Sequence, residues 1–135
     1  MSGVALARAA EALVGAKFRL HGRDPATGLD CIGLLAAALA VIGKPAPLPT
    51  GYTLKLRRLE NWLPDPGTCG FAITDEPMIA GDVVLLDLGP CQQHLAIIAG
   101  SGRFIHAHAG LRRVVEGSGP LPGPVRHQWR MLPTS

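Results

Sequence analysis

Hydrophobic residues follow a helical period in the first third of the chain. Ser2 can cap a first helix that runs through about Val14, with its apolar residues on one face: Leu6, Ala10, Leu13 and Val14. A second, uninterrupted apolar run covers residues 31–42, with Asp30 as a favourable N-cap and Gly43 as its end. Because this run is apolar on all sides, we predict a helix buried at the centre of the fold.

The hydrophobic pattern changes to that of strands after Gly81. We predict five short strands separated by turns that contain glycine or proline, at residues 83–88, 94–99, 103–108, 111–116 and 125–131. The proline-rich residues 44–80 are predicted to be irregular except for a helix at 54–63, and a loop of this length often forms a functional wall or lid. Helices that precede antiparallel strands indicate an α+β fold.

The predicted hairpin between the second and third strands determines where three histidines lie. If Gly100, Ser101 and Gly102 form a three-residue loop, Ala99 pairs with Arg103. Extending this register places His94 opposite His108 and Ala96 opposite His106. The three histidines then share one face of the sheet, with His94 and His106 as diagonal neighbours. A two-residue loop would shift the register by one and separate His94 from His106.

Length and composition limit the class of protein. With 135 residues of which 47% are hydrophobic, residues 1–135 are expected to form a single domain with its own core. A net charge of only +3, without a dense basic stripe, argues against a nucleic-acid partner. The apolar run at 31–42 is shorter than the about 20 residues that cross a membrane, so we expect no membrane span. Arg8 and Glu11 interrupt the N-terminal apolar stretch, so we expect no signal peptide.

Cys31 is the strongest candidate for a reactive side chain. It lies in the first turn of the predicted buried helix, where backbone N–H groups and the helix dipole favour the thiolate. Taken alone, this position is better explained by burial of Cys31 as a small hydrophobic residue. A cysteine nucleophile needs a base and a group that orients the base, and His94 with either His106 or His108 could supply them. Cys69 and Cys91 lie in loops and are expected to be incidental thiols.

Three segments of the chain resemble motifs of the NlpC-type (NlpC/p-sixty) cysteine peptidases. Gly28-Leu29-Asp30-Cys31-Ile32-Gly33-Leu34 resembles the nucleophile motif of the family, and Gly81-Asp82-Val83-Val84 resembles its G-D-L-V strand. Residues 94–107 match the histidine block of the family without a gap. Together the motifs cover roughly residues 15–42 and 81–116, in the order that the family uses. The resemblance therefore implies a papain-like fold with N-terminal helices packed on an antiparallel sheet.

The resemblance also implies an activity and a set of site residues. Cys31 would be the nucleophile, His94 the general base and His106 the residue that orients His94, with no metal or cofactor required. The expected substrate is an amide bond in peptidoglycan stem peptides, in some members the bond between D-glutamate and a diamino acid. Asp30, Phe18 and Ile32 occupy positions expected to contact this substrate, and the family often has Tyr and Ser in place of the last two.

The length of the chain and its residues 18–25 resemble the compact single-domain members that are encoded with phage tails or gene-transfer particles. The resemblance therefore implies phage tail proteins as further partners of the protein. It also implies synthesis in the bacterial cytoplasm and action on the cell wall, after delivery by a particle or by lysis.

Three alternatives remain open at the level of the sequence. His106 and His108 could form a zinc site with His94 and Cys31, although no carboxylate or second cysteine is placed to complete it. The domain could instead be a non-catalytic structural component of a tail or envelope complex. It could also use the thiol for acyl transfer to an amine rather than for hydrolysis.

Overall fold

The computed structural model describes residues 2–44, 70–89 and 92–132. Two helices, α1 (Ser2–Ala12) and α2 (Cys31–Val41), accompany eight strands: β1 (Arg23–Asp24), β2 (Gly28–Leu29), β3 (Phe71–Ile73), β4 (Val83–Gly89), β5 (Gln92–Gly100), β6 (Arg103–His108), β7 (Arg113–Ser118) and β8 (Val125–Met131). The predicted helix at 54–63, Cys69 and Cys91 lie outside the described residues. Among the described helices, none is long and apolar enough to cross a membrane.

Six of the strands form one antiparallel sheet in the order β3-β8-β4-β5-β6-β7. The two helices pack against one face of this sheet around a core that includes Leu6, Ile32 and Leu34. A second apolar layer on the opposite face includes Val84, Leu86 and Phe104, with Leu121 packed against it. The α+β architecture predicted from the sequence is confirmed.

Both predicted helices are present, with small differences in length and burial. Helix α1 ends at Ala12 rather than near Val14, and Val14 is 44% exposed instead of lying on the buried face. Helix α2 is buried along most of its length, and only its C-terminal end, with Val41 66% exposed, reaches solvent. Its central position follows from its composition, since no polar side chain is present to face water.

The hairpin between β5 and β6 keeps the predicted register in its middle but not at its turn. Ile97 pairs with Ile105 and Ile98 with Phe104, as predicted. At the turn, Gly100 rather than Ala99 pairs with Arg103, so the predicted three-residue loop is wrong. The loop is shorter by one residue, and a bulge between Ile98 and Gly100 absorbs the difference. The residues of β5 that precede the bulge therefore lie on the predicted faces of the sheet.

Three other features of the sheet were not predicted or were misplaced. Strand β3 pairs with β8, and β1 pairs with β2 in a separate two-stranded ribbon. Strand β7 begins at Arg113 instead of residue 111, because Arg112 adopts a left-handed conformation with φ 60° that prolongs the preceding turn. The start of β7 is thus set by turn geometry, whereas β1, β2 and β3 are strands of only two or three residues, too short to give a side-chain pattern.

The buried carboxylate of Asp82, which directly precedes β4, connects the start of this strand to strand β8. Asp82 is 1% exposed and accepts hydrogen bonds from the Ile79 backbone N–H, the Gln128 amide and the Arg130 guanidinium. Arg130 also bonds Glu76 at 2.9 Å. Because a buried charge needs several partners, this network holds the 76–82 segment against the sheet.

Candidate active site

The Asp30 carboxylate caps α2 and holds its first turn in position. One carboxylate oxygen of Asp30 accepts from the Gly33 N–H at 2.7 Å, and the other accepts from the His21 N–H at 2.8 Å. The side chain is completely buried, so it ties the segment before β1 to the helix start. Gly33 packs so closely on the Gly22 carbonyl that no side chain fits between them. Cys31 is therefore placed by the cap and by this close approach.

Cys31 is a free and nearly buried thiol, 7% exposed. Burial raises the pKa of Cys31 to about 12, although hydrogen bonds from the backbone N–H groups of Leu95, Ile32 and Cys31 itself lower it in part. The backbone N–H groups of the helix start thus favour the thiolate as expected, but the net shift favours the neutral thiol. Desolvation outweighs the backbone N–H groups, and the neutral thiol is the resting form.

His94 and His106 form a hydrogen-bonded pair beside the thiol. The His94 Nε2 and the His106 Nδ1 are 2.9 Å apart, and the ring centroids are 5.1 Å apart. Burial, with repulsion from His106 and His108, lowers the pKa of His94 to about 3. Burial and His108 likewise lower the pKa of His106 to about 4. Both rings are therefore neutral over the usual range of pH, and the pair shares a single proton between the two facing nitrogens.

His108 lies on the far side of His106 and has a different partner. Its Nδ1 accepts a hydrogen bond from the Leu111 backbone N–H at 3.0 Å, and its ring centroid is 5.5 Å from that of His106. The predicted clustering of the three histidines is present. Of the two candidates that spacing alone could not separate, His106 is the one that contacts His94.

A cleft brings the three predicted catalytic residues together. Cys31, His94 and His106 all line it, with Phe18 and His108 as further walls. Of the residues expected to contact substrate, only Phe18 reaches the cleft, because the side chains of Asp30 and Ile32 are fully buried beneath it. Six further lining residues were not among the candidates from the sequence: Leu88, Gln93, Ala107, Ala109, Gly110 and Pro122.

The missed residues had weak signals in the sequence. Gln93 and Ala109 are chain neighbours of His94 and His108, which was the one available indication. Leu88 and Pro122 come from the end of β4 and from the loop before β8, so only the tertiary structure shows that they meet the cleft.

The arrangement of the histidines bears on the alternative of a zinc site. Within residues 2–44, 70–89 and 92–132, no three His, Cys, Asp or Glu side chains are grouped as metal ligands. The His94 Nε2 and the His106 Nδ1 face each other instead of converging on a common point. The described residues therefore offer a hydrogen-bonded chain rather than a ligand set.

Comparison with known proteins places the chain in a family. A model of the NlpC/P60 family matches residues 15–121. The chain belongs to this family. The matched residues contain the whole of α2 and of β4 to β7, and thus the Cys31, His94 and His106 positions. No curated protein sequence matches the chain.

Solved structures of NlpC/P60 proteins share the fold. NlpC1 from Trichomonas vaginalis superposes with a TM-score of 0.71 at 19% identity, over 96% of this chain and 45% of NlpC1. The NlpC/p60 domain of the peptidoglycan hydrolase SagA superposes with a TM-score of 0.67 at 25% identity, over 97% of this chain and 100% of that domain. The peptidoglycan hydrolase RipB from Mycobacterium tuberculosis gives 0.62 at 19% identity, over 98% of this chain and 66% of RipB. The chain thus spans less than half of NlpC1 but the full SagA domain.

Proposed function

We propose that this NlpC/P60 domain is a cysteine peptidase that hydrolyses an amide bond in peptidoglycan stem peptides. The observation that carries the proposal is the cleft in which Cys31 lies beside the hydrogen-bonded pair of His94 and His106. A nucleophile, a base and a group that orients the base are the parts that thiol-dependent hydrolysis requires. Two structurally similar domains belong to peptidoglycan hydrolases, which supports the choice of substrate.

The first step of the proposed mechanism depends on which ring nitrogen of His94 is unprotonated. For the His94 Nδ1 to accept the thiol proton, the proton between the two rings must lie on the His94 Nε2, which then donates to the His106 Nδ1. As the Cys31 sulfur attacks the scissile carbonyl carbon, its proton moves to the His94 Nδ1. The imidazolium then returns this proton to the leaving amine, and a thioester forms on Cys31. Water, activated by the same nitrogen, hydrolyses the thioester.

The helix start also offers charge stabilisation to the tetrahedral intermediate. The first N–H groups of a helix have no partner within it, and the N–H of Gly33 is already bonded to Asp30. The N–H groups of Cys31 and Ile32 are thus the ones next to the nucleophile that can meet a developing oxyanion. Together with the helix dipole, they would favour the charged intermediate over the neutral resting thiol.

The proposal extends to the substrate and to the setting of the reaction. We place the cleaved bond between D-glutamate and a diamino acid, in a cleft where Phe18 and Leu88 contact the peptide. We also propose an association with phage tail or gene-transfer particles, which would carry the domain from the cytoplasm to the cell wall. Phe18 supplies no hydroxyl, so binding at this wall rests on apolar contact.

Digestion of purified peptidoglycan tests the proposed bond. Mass analysis of the released fragments should show one water added per cut and a new amino group on the diamino acid. Fragments joined to an added amine would favour acyl transfer. Loss of activity with a chelator, restored by zinc, would favour the metal site. Intact peptidoglycan after incubation with folded protein would favour the structural role and contradict the proposal.

A further inference from the structure

Four exposed cations lie beside one wall of the cleft. Lys17 and Arg19 flank the cleft residue Phe18, and Arg112 and Arg113 follow the cleft residue Gly110 by two and three positions. Backbone hydrogen bonds join the two segments, since the Phe18 N–H donates to the Arg112 carbonyl at 2.9 Å. We call these four residues, Lys17, Arg19, Arg112 and Arg113, the basic rim.

The cations of the basic rim have no acidic partner in the part of the chain that the structure describes. The ion pairs there involve Arg103, Arg126 and Arg130 instead. Lys17 and Arg113 are also direct partners in an antiparallel bridge, which sets their side chains on the same side of the backbone. Like charges that face each other in this way destabilise a fold, and an anion between them would remove the cost.

His108 carries a hydrogen-bond donor from the basic rim's turn into the cleft. The Leu111 N–H occupies its Nδ1, so the neutral ring must hold its proton on Nε2. Gly110 packs against the same ring, where an added Cβ would lie 3.0 Å from the ring carbon Cε1. Both contacts hold the Nδ1–Cε1 edge of the ring, and the proposed proton chain of Cys31, His94 and His106 does not use the remaining N–H of this cleft residue.

From these observations we infer that the turn at His108–Arg113 and the facing Lys17–Arg19 segment recognise a free carboxylate of the substrate peptide close to the scissile bond. The inference rests on the proposed function. His108 would donate to the carboxylate inside the cleft, and the basic rim would attract it electrostatically. Stem peptides that carry free carboxylates would therefore be preferred over peptides in which the same group is amidated.

The position of His108 favours the substrate peptide over a separate acidic polymer of the wall. A polymer bound at the surface would meet the exposed cations but has no reason to need a donor inside the cleft. His108 pairs directly with Arg113 between β6 and β7, so a peptide carboxylate in the cleft beside His108 would lie next to a cation of the basic rim. One carboxylate of the bound peptide would therefore meet both the His108 donor and the basic rim.

Two synthetic stem peptides that differ only by a carboxylate or a carboxamide test the inference. Wild-type protein should cleave the carboxylate form with the higher kcat/KM, through a lower KM, and the preference should shrink with added salt. The double variant Lys17→Gln with Arg113→Gln should reduce the preference by roughly two- to fivefold for each cation removed. His108→Ala should reduce it as well. Arg8→Gln removes an exposed cation from α1, away from the cleft, and should keep the preference of the wild type.

The outcomes separate the inference from the proposed function. Cleavage of neither peptide by the folded protein contradicts the proposed function itself. Cleavage of both at equal rates, or a preference that the double variant retains, overturns the carboxylate site alone. Weaker binding of the variants to phosphate-bearing walls, with the peptide preference intact, would assign the basic rim to a polymer and overturn the inference. A reduced preference together with a lower unfolding midpoint would mean that Lys17 and Arg113 act through the fold, which also overturns it.

Discussion

His94 and His106 differ in the ring nitrogen that each presents to the other, and this difference assigns their chemistry. In the proposed mechanism, the His94 Nε2 donates to the His106 Nδ1, which orients the His94 ring and leaves its Nδ1 for the thiol. His106 would then act as a positioning residue that fixes the tautomer and stabilises the imidazolium of the proposed first step. His108 contacts neither the thiol nor His94 by a hydrogen bond and has its own partner at Leu111.

Alanine substitutions should separate the three histidines. His94→Ala should reduce kcat by about 10² to 10⁴, because the general base is lost. His106→Ala should cause a smaller loss of kcat, and His106→Asn or His106→Gln should recover part of it by offering a carbonyl oxygen to the His94 N–H. His108→Ala should change KM for carboxylate peptides more than kcat. Steady-state kinetics on one peptide checks the order, and a kcat loss larger for His108→Ala than for His106→Ala would contradict it.

The lowered pKa values of the histidines predict an unusually acid-tolerant activity. A protonated His94 cannot accept the thiol proton, so kcat/KM should fall only as the pH approaches about 4 to 3, the pKa values of His106 and His94. Among the described residues, His106 and His108 repel a proton on His94, and this repulsion lowers the pKa in the same direction as burial. An acid limb centred near pH 6.5 would contradict this account.

Unfolding must be followed in parallel with the pH profile. The unfolded chain takes up protons on these histidines near pH 6.5. The folded protein does so only at about pH 4 to 3, so protons favour unfolding throughout this window. Stability should therefore be complete above pH 6.5 and decline as the pH falls toward 3. A parallel measurement of the unfolding midpoint distinguishes loss of the base from loss of the fold.

At the scale of elements, the start of α2 is held by contacts so close that neither it nor the segment before β1 can shift independently. Both oxygens of the Asp30 carboxylate are used, and Gly33 lies directly on the Gly22 carbonyl. The segment before β1 and the helix start thus form one unit, and a shift of either moves the thiol relative to His94. A site of this kind requires positioning within fractions of an ångström.

Gly33→Ala should therefore damage both stability and activity. The added Cβ would overlap the Gly22 carbonyl oxygen, so either the helix start or the preceding turn must move, at a cost of about 1–3 kcal/mol. Gly89→Ala is the matched control, because its Cβ would meet no described atom within 4 Å. Urea unfolding and peptide hydrolysis of both variants check the prediction. Equal stability and activity for the two variants would show that the contact does not position Cys31.

Local patterns predicted the central elements but not the peripheral ones. The apolar run of α2 and the alternation of β4 to β6 were strong enough to give element types and the paired middle of the hairpin. Strand β3 has only three residues, and its partner β8 lies far along the chain, so its existence depends on the assembled sheet. The bulge near Gly100 and the left-handed Arg112 likewise reflect turn geometry that side-chain types do not determine.

At the scale of the whole molecule, the motifs identified the candidate residues while the fold determined their properties. Order and spacing of the Cys31, His94 and His106 motifs pointed to the NlpC/P60 family, which the family model confirms. The high pKa of the Cys31 thiol could not be predicted, because it arises from burial against β5, a strand more than 60 positions away. The basic rim is also a tertiary feature, formed where two distant segments pair beside the cleft.

The most direct test of the account is peptidoglycan digestion by the wild type and by Cys31→Ala. Removing the sulfur of a nearly buried side chain should leave the fold intact, which the far-ultraviolet spectrum and the unfolding midpoint can verify. The account predicts that the wild type releases stem-peptide fragments in a mass spectrum and that Cys31→Ala releases none above background. The loss should amount to orders of magnitude, since the residues of such a site act as a unit. Fragment release by folded Cys31→Ala at the wild-type rate would contradict the central claim that the Cys31 thiol carries out the reaction.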